Sequence, residues 1–322
     1  MKGQNGMLFL GTTLDGLQMG LCFAVIALGV YISYSILDFP DLSVDGTFPL
    51  GGIIGTILIF RLGVPPLLAI FLSFFAGMAA GAVTGVLHVK FKISNLLSGI
   101  IVMTALLSVN LALTKLLTGT GYTTTIFSYK GANITGIFNG KFVGMFSKDV
   151  KDLIIILILA VIVVAMKIIV DLFLKTKAGY MLRATGDNQK LVVTLSKNAG
   201  TYKIFGLAIA NGFVAVAGAI YSQLFMSYDN NSGSGKVVLA LASVIIGLTV
   251  FSGVRFMKDT TAVIFGAIIY SLCLNYLVLV DSDGIYLKLL NAVLFALILI
   301  FNDRITAFLS KRSISKGGKK GA

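Results

Sequence analysis

The sequence predicts an all-α fold, a polytopic bundle of transmembrane helices. Of its 322 residues, 57% are hydrophobic and only 12% are charged, whereas soluble domains carry about 25% charged residues. The mean hydropathy is +0.96. Most of the apolar stretches reach the length of about 20 residues that a helix needs to cross a bilayer. Nine such stretches are present: 14–37, 46–60, 65–87, 93–115, 152–174, 203–226, 237–254, 260–280 and 285–302.

The domain organisation follows from these stretches. We expect a single transmembrane domain over residues 14–302, preceded by an N-terminal segment, 1–13, and followed by a basic tail, 303–322. The first stretch is predicted to be a membrane span rather than a cleavable signal peptide, because it lacks a basic region before it and is too long.

Residues 37–52 read LDFPDLSVDGTFPLGG and separate the first two stretches. Their prolines and glycine pair predict a broken or re-entrant helix. Such a break is tolerated at membrane depth only where it is buried in protein or lines a cavity. Asp41, Ser43 and Asp45 are therefore candidates for a solute path or gate, and an ordinary interhelical loop is the alternative. If 46–60 were re-entrant, the N-terminus would lie inside the cell instead of outside.

Three glycines, Gly77, Gly81 and Gly85, recur at four-residue spacing in the third stretch. Small residues at this spacing let helix backbones approach closely in lipid. We therefore predict a helix-packing face there, with a gating hinge as the alternative.

Polar side chains are few within the apolar stretches, and in hydrocarbon each must face another helix or a hydrated path. Asn95 and Asn110 join the three residues above as candidates for a solute path or gate. Interhelical hydrogen bonding is the alternative for each of them. The full set comprises Asp15, Gln18, Asn95, Asn110, Asn211, Gln223, Asn275 and Asn291.

The distribution of basic residues predicts the orientation. Placing the polar segment 175–203 in the cytoplasm also puts 88–92, 255–259 and the tail inside, and these four segments hold sixteen of the 26 Lys and Arg residues. This bias agrees with the positive-inside rule. The basic tail then lies near anionic lipid, so the net charge of +13 does not call for nucleic acid as a partner. The external segments would be 116–151, 227–236 and 281–284.

Within the cytoplasmic segment, residues 179–200 predict a short amphipathic helix that is capped near Asp187 and Asn188 and ends at Gly200. Its apolar face could lie on the membrane surface or enter a groove in a soluble partner, and composition leaves both open. Its apolar and small positions are Met181, Leu182, Ala184, Leu191, Val192 and Leu195.

The ionisable residues exclude several kinds of chemistry. The chain has no Glu and a single His, His88. It has no metal-ligand spacing and no Ser–His arrangement for nucleophilic catalysis. The stretch NSGSGK at 231–236 fails the phosphate-loop pattern, because Asn230 stands where Gly is needed and Val237 follows the Lys. We interpret this stretch as an external loop and predict neither a cofactor nor an enzymatic activity.

The segment GYMLRATGDNQKLVVTLSKNAGTYKI, which starts at Gly179, resembles the cytoplasmic loop of permeases in the branched-chain amino acid and ribose class of ABC importers. Three further blocks resemble the same class in the same order, over about residues 15–302. The block DLSVDGTFPLGG is most similar to the branch labelled tryptophan/tyrosine permeases. The residues that the resemblance implies for coupling to an ATPase are Gly179, Arg183, Ala184, Gly186, Asp187 and Asn188.

The resemblance implies a homodimeric permease subunit in a bacterial cell membrane. Such a subunit docks two ATP-binding-cassette ATPase subunits, which hydrolyse the ATP, and receives cargo from an extracytoplasmic solute-binding protein. The implied cargo is a small polar solute, with an aromatic amino acid as the named example. A stand-alone ion-coupled secondary transporter is the alternative. An intramembrane zinc or serine enzyme is a further one, whose zinc form needs a Glu-containing motif that the chain lacks.

Overall fold

The computed structural model describes residues 2–119, 136–138, 148–188, 192, 198–252, 254, 256–280 and 289–300. Over these residues the chain is a helical bundle without strands, and eight helices are long and apolar enough to cross a membrane. The all-α, polytopic fold predicted from the sequence is therefore confirmed. Most of the predicted external loop 116–151 and all of the basic tail 303–322 lie outside the described residues. The same holds for Leu191 and Leu195 of the predicted amphipathic helix.

The helices follow the predicted apolar stretches in order, and the ninth stretch is described only as a shorter helix. In chain order they are α1 (Lys2–Val30), which continues as a π-helix (Tyr31–Ile36), α2 (Val44–Leu62), α3 (Pro66–Val89), α4 (Asn95–Thr118), α5 (Lys148–Leu174), α6 (Lys177–Asp187), α7 (Ala199–Phe225), a 3₁₀-helix (Asn230–Gly233), α8 (Lys236–Val250), α9 (Asp259–Val280) and α10 (Leu289–Ile300).

Helix ends are set by local chemistry, and at α6 this chemistry differs from the prediction. The hydroxyl of Thr176 accepts the backbone N–H of Gly179 and caps the N-terminus of α6, as N-cap threonines do. Asp187 and Asn188, where we predicted a helix cap, are the last residue and the C-cap of this helix. The predicted bounds 179–200 were wrong, because α6 begins at Lys177 and ends at Asp187, and Gly200 lies in the first turn of α7.

The core of the bundle is formed by α1 and α7. About 83% of the apolar window of each is buried, compared with 22% for α5. The glycine face of α3 lies against α7: a methyl group on Gly77 would come within 2.3 Å of the carbonyl oxygen of Asn211, and one on Gly81 within 2.2 Å of that of Leu207. Gly85 faces Ile204 in the same way. Only glycine allows the two backbones to approach this closely.

The contacts of α1 fix the side of its N-terminal end. Gly29 packs against Ala210, whereas Cys22, further from the end of α1, lies 3.6 Å from the carbonyl oxygen of Ala217. Thus α1 and α7 are antiparallel. Since α7 begins directly after the α6 segment, α1 begins on the opposite side of the bundle. We call these two sides the α6 side and the far side. The alternative that put the N-terminus on the α6 side was wrong, because α2 is a full-length apolar helix.

The break predicted within 37–52 is present and narrower than that segment. The chain leaves the π-helix after Ile36 and starts α2 at Val44. Leu37 packs at the level of Gly206, and Asp41 at the level of Asn211. These positions lie 7 and 12 residues into α7, or roughly 10 and 18 Å at 1.5 Å per residue. The turn 37–43 is therefore inserted into the α6-side half of the bundle.

Candidate solute path and coupling sites

A buried polar cluster occupies the turn 37–43. The amide of Asn211 donates to the Oδ2 of Asp41 over 2.7 Å, and the hydroxyl of Ser43 donates to the Oδ1 of Asn211 over 3.2 Å. The backbone N–H of Ser43 donates to the Oδ1 of Asp41 over 2.8 Å. Asp41 is 4% exposed, and the other two are fully buried. We call these three residues the Asp41 cluster.

The sequence of the turn explains how it forms. Pro40 has no N–H and interrupts the helix, and Asp41 accepts an N–H two residues ahead, as Asp does in tight turns. Asp38 adopts φ +52°, in the left-handed region that Asp tolerates better than most residues. Helix α4 closes over the turn, because a methyl group on Gly99 would lie 2.8 Å from the backbone nitrogen of Leu42.

Asp45 and Asn110 are two more of the predicted path residues. Asp45 lies in the first turn of α2, and Asn110 contacts that turn from α4. Asp45 accepts the backbone N–H groups of Gly235 over 2.9 Å and Val237 over 2.8 Å. It therefore caps the N-terminus of α8, where a carboxylate also complements the helix dipole. Asn110 is fully buried on α4 and donates to the carbonyl of Gly46 over 3.1 Å. Its Oδ1 is buried without a partner among the described residues.

Asn95 is separate from these groups. It is the first residue of α4, half-buried, and its carbonyl accepts the hydroxyl of Ser98. The structure thus brings Asp41 and Ser43 together with Asn211, and brings Asp45 and Asn110 to the start of α2. Asn211 had been recognised as a polar residue in a span but not as a candidate. The available signal was the polarity of Asn211 within the apolar run from Ile204 to Ile220 of α7.

A lysine among aromatic rings was missed by the sequence interpretation. The ammonium of Lys236 lies 4.3 Å from the ring centroid of Phe23, 5.3 Å from that of Phe48 and 5.4 Å from that of Tyr221. Lys236 is not part of an external loop but the first residue of α8. Gly233, just before it, lies so close to α2 that a methyl group would meet the carbonyl oxygen of Asp45 at 1.8 Å. The expectation of an external loop at 231–236 was wrong for this reason.

Helix α6 has one buried and one exposed face. Gly179, Leu182 and Thr185 are buried, whereas Tyr180, Arg183 and Asp187 are exposed at helical spacing. Of the remaining residues that the resemblance implied, Asn188 is exposed, and Ala184 and Gly186 are half-buried.

The buried face of α6 contacts the segment that leads into the Asp41 cluster. A methyl group on Gly186 would lie 1.9 Å from the carbonyl oxygen of Ile36, the last residue of the π-helix. Leu182 and Leu37 both pack on Gly206 of α7. Because Leu37 precedes Asp41 by only four residues, a displacement of α6 acts directly on the buried turn.

An ionic cluster flanks α6 on the same side. Asp171, near the end of α5, accepts hydrogen bonds from Lys167 and Lys258, both over 2.9 Å, and from the hydroxyl of Thr260 over 2.7 Å. Together with Tyr180 and Arg183, Asp171 lines a cleft of about 350 Å³. The cleft lies between α6 and the start of α9. Within the described residues, no group of His, Cys, Asp or Glu side chains is arranged to hold a metal ion.

Comparison with known proteins identifies similar sequences along nearly the whole chain. The family model described as "Branched-chain amino acid transport system / permease component" matches residues 12–302. A tyrosine transport system permease protein of Clostridioides difficile is 40% identical, over 94% of this chain and 92% of its own length. A ribose import permease protein of Haemophilus influenzae is 26% identical, over 84% and 78%. An uncharacterized protein of Rickettsia prowazekii is 30% identical, over 88% and 95%. No solved structure matches the chain significantly.

Proposed function

Because the chain belongs to the family of permease components of branched-chain amino acid transport systems, we propose that it forms the solute path of an ABC importer and couples that path to an ATPase through α6. The chain is a multi-pass permease subunit of a bacterial membrane, and in this family a separate subunit hydrolyses the ATP. Family membership does not support the stand-alone ion-coupled transporter or the intramembrane enzyme.

The contact of Gly186 with Ile36 carries the coupling proposal. The exposed face of α6, with Tyr180, Arg183 and Asp187, is available to a soluble subunit. Its opposite face touches the π-helix and the turn 37–43. A movement imposed on α6 therefore reaches the turn 37–43 through two packed contacts, and the same turn carries Asp41.

The Asp41 cluster acts as a gate on the α6 side of the solute path. It joins the turn to α7 by side-chain hydrogen bonds, which can be exchanged for hydrogen bonds to water or solute when the turn moves. Asp45 and Asn110 line the path at the start of α2, and Asn95 lies at its α6-side end. The α6 side is the cytoplasmic side, as its basic turns favour.

The assembly contains two copies of the chain, two ATPase subunits and a solute-binding protein on the far side. The cargo is a small polar solute of the aromatic amino acid type. The similarity to a relative that is named for tyrosine transport, and that matches over almost the full length of both chains, supports this assignment.

The charge reversal Arg183→Glu tests the coupling role. We expect it to weaken association with the cognate ATPase by more than about tenfold, since an interface Arg often contributes about 2 kcal/mol or more. The measurement is binding of purified ATPase to the permease in nanodiscs, together with the ATPase rate of the complex. The bundle should stay folded, because Arg183 is exposed.

Lys90→Glu is the matched control. Lys90 is exposed on the same side, in the turn after α3, and outside α6. This control should retain ATPase binding. Equal binding by Arg183→Glu and Lys90→Glu, both at the wild-type level, would contradict the assignment of α6 as the coupling element.

A further inference from the structure

A cavity on the far-side half of the bundle is lined by Lys236 and by two of the aromatic residues around it, Phe23 and Tyr221. Its volume is about 400 Å³, within the range of about 300–1,000 Å³ that is typical of small-molecule sites. Helices α1, α7, α8, α9 and α10 all contribute to its wall. The apolar part of this wall includes Met19, Phe23, Tyr221, Leu274 and Val278.

Lys236 has no direct ion-pair partner, because among the described residues no carboxylate lies within ion-pair distance of its ammonium. The carboxylate of Asp45 is close enough to attract the ammonium, and its two oxygens are hydrogen-bonded to backbone N–H groups at the start of α8 rather than to Lys236. The rings of Phe23, Phe48 and Tyr221 attract the ammonium through their quadrupoles and leave its net charge in place. A charged residue within a span that has no direct ion-pair partner is costly and is a candidate for a functional site.

Two carboxamides complete the cavity. Asn275 donates to the carbonyl of Ser271 and to the sulfur of Met19, and Asn291 accepts a hydrogen bond from the hydroxyl of Tyr270. Both residues also line the cavity. They offer hydrogen bonds to a polar substituent, whereas Lys236 offers the single positive charge.

From this arrangement we propose that the cavity binds a small organic acid with an aromatic body, and that Lys236 pairs with its carboxylate. The ring of the ligand packs against the apolar wall, and its carboxylate supplies the direct ion-pair partner that Lys236 lacks. The inference rests on the proposed function in one respect, namely that the bound acid is the carried solute. Binding itself does not depend on an ATPase.

Calorimetric titration of the purified full-length chain in detergent tests the site with three probes. 3-Phenylpropionate carries an aromatic ring and a carboxylate, 2-phenylethylamine has the ring without the carboxylate, and octanoate has the carboxylate on a flexible chain. We expect 3-phenylpropionate to bind and the other two to bind at least tenfold more weakly. No binding of 3-phenylpropionate at millimolar concentration, or equal binding of the amine, would overturn the proposal. Tighter binding of octanoate would also overturn it and assign the cavity to a lipid chain.

Two variants and a control locate the binding. Lys236→Met should weaken 3-phenylpropionate at least tenfold, whereas Lys115→Met, at an exposed lysine of α4 outside the cavity, should not. Val278→Trp keeps Lys236 and fills the cavity, so it should weaken the probe even if Lys236→Met does not fold. Wild-type affinity in Val278→Trp would place the ligand elsewhere and refute the site. The coupling role is read from ATPase binding to the permease, whereas this cavity is read from probe binding to the chain alone, so a failure of one and a failure of the other give different results.

Discussion

Two breaks within the described part of the bundle are held in different ways. At the turn 37–43, Asp41 is bound by the side chain of Asn211 on another helix. At the turn that precedes α8, Asp45 is bound by the backbone N–H groups of Gly235 and Val237. Both carboxylates come from the same short segment of sequence, yet one is paired with a side chain and the other with a helix end.

This difference separates a joint that can open from one that is fixed. The N–H groups at a helix start point along the helix axis and stay there as long as the helix exists. The carboxamide of Asn211 can rotate, and its hydrogen bonds can be exchanged for others. Only the break at 37–43 also touches α6, through Gly186 and Ile36. The α6-side break therefore suits gating, whereas the far-side break holds Lys236 and its cavity in place.

The largest expected effect is that of Asn211→Ala. The change removes the donor to a buried carboxylate, and hydrogen bonds to charged groups contribute about 1.5–3 kcal/mol. We expect the free energy of unfolding to fall by about this amount, measured by thermal unfolding of the purified chain in detergent. Asn95→Ala is the control, because Asn95 is half-buried and lies outside the cluster. If both variants unfolded alike, the Asp41 cluster would not hold the turn.

A smaller effect is expected from Gly186→Ala. The added methyl group would meet the carbonyl oxygen of Ile36 at 1.9 Å, so α6 must move away from the π-helix. Overpacking of this kind costs about 1–3 kcal/mol, and part of it can be relieved at the exposed end of α6. We expect the ATPase rate of the complex to be no longer changed by the permease, compared with the rate of the ATPase alone. The permease itself should lose a modest amount of stability.

Gly11→Ala is the matched control for that substitution. Gly11 is also helical, and a methyl group there has no atom within 4 Å among its described neighbours. Its ATPase coupling should equal that of the wild type. Coupling that survived in Gly186→Ala would show that the contact with Ile36 does not transmit motion.

Much of the fold could be predicted from composition and length, because a chain in lipid must satisfy its backbone within each helix. The lengths of the apolar stretches predicted the order of the spans, and the prolines and glycine pair of 37–52 predicted the break. The side of the N-terminus could not be decided, since the sequence did not reveal whether 46–60 was a full helix. The structure resolves this through the antiparallel packing of α1 on α7.

The candidate sites were predicted less completely, for a physical reason. A polar residue in an apolar helix signals that it has a partner, but not which partner. Asp41 and Asn211 are 170 positions apart, and nothing in either local sequence points to the other. Lys236 is joined to Phe23 only by the folded bundle. Contacts between residues so far apart in sequence depend on how the helices pack together. The order of apolar and polar residues within one helix does not contain that information.

The smallest expected effect concerns Asp45, at the fixed break. Asp45→Ala removes the cap of α8 and should cost about 1 kcal/mol, the usual value for a lost N-cap. Asp45→Asn keeps one acceptor oxygen for the same N–H groups, so it should lose less. Thermal unfolding of both variants beside Asn211→Ala tests the comparison between the two breaks. If Asp45→Ala destabilised the chain more than Asn211→Ala does, the backbone cap at α8 would hold the bundle more strongly than the hydrogen bonds of the Asp41 cluster, and the expected order of the two effects would be wrong.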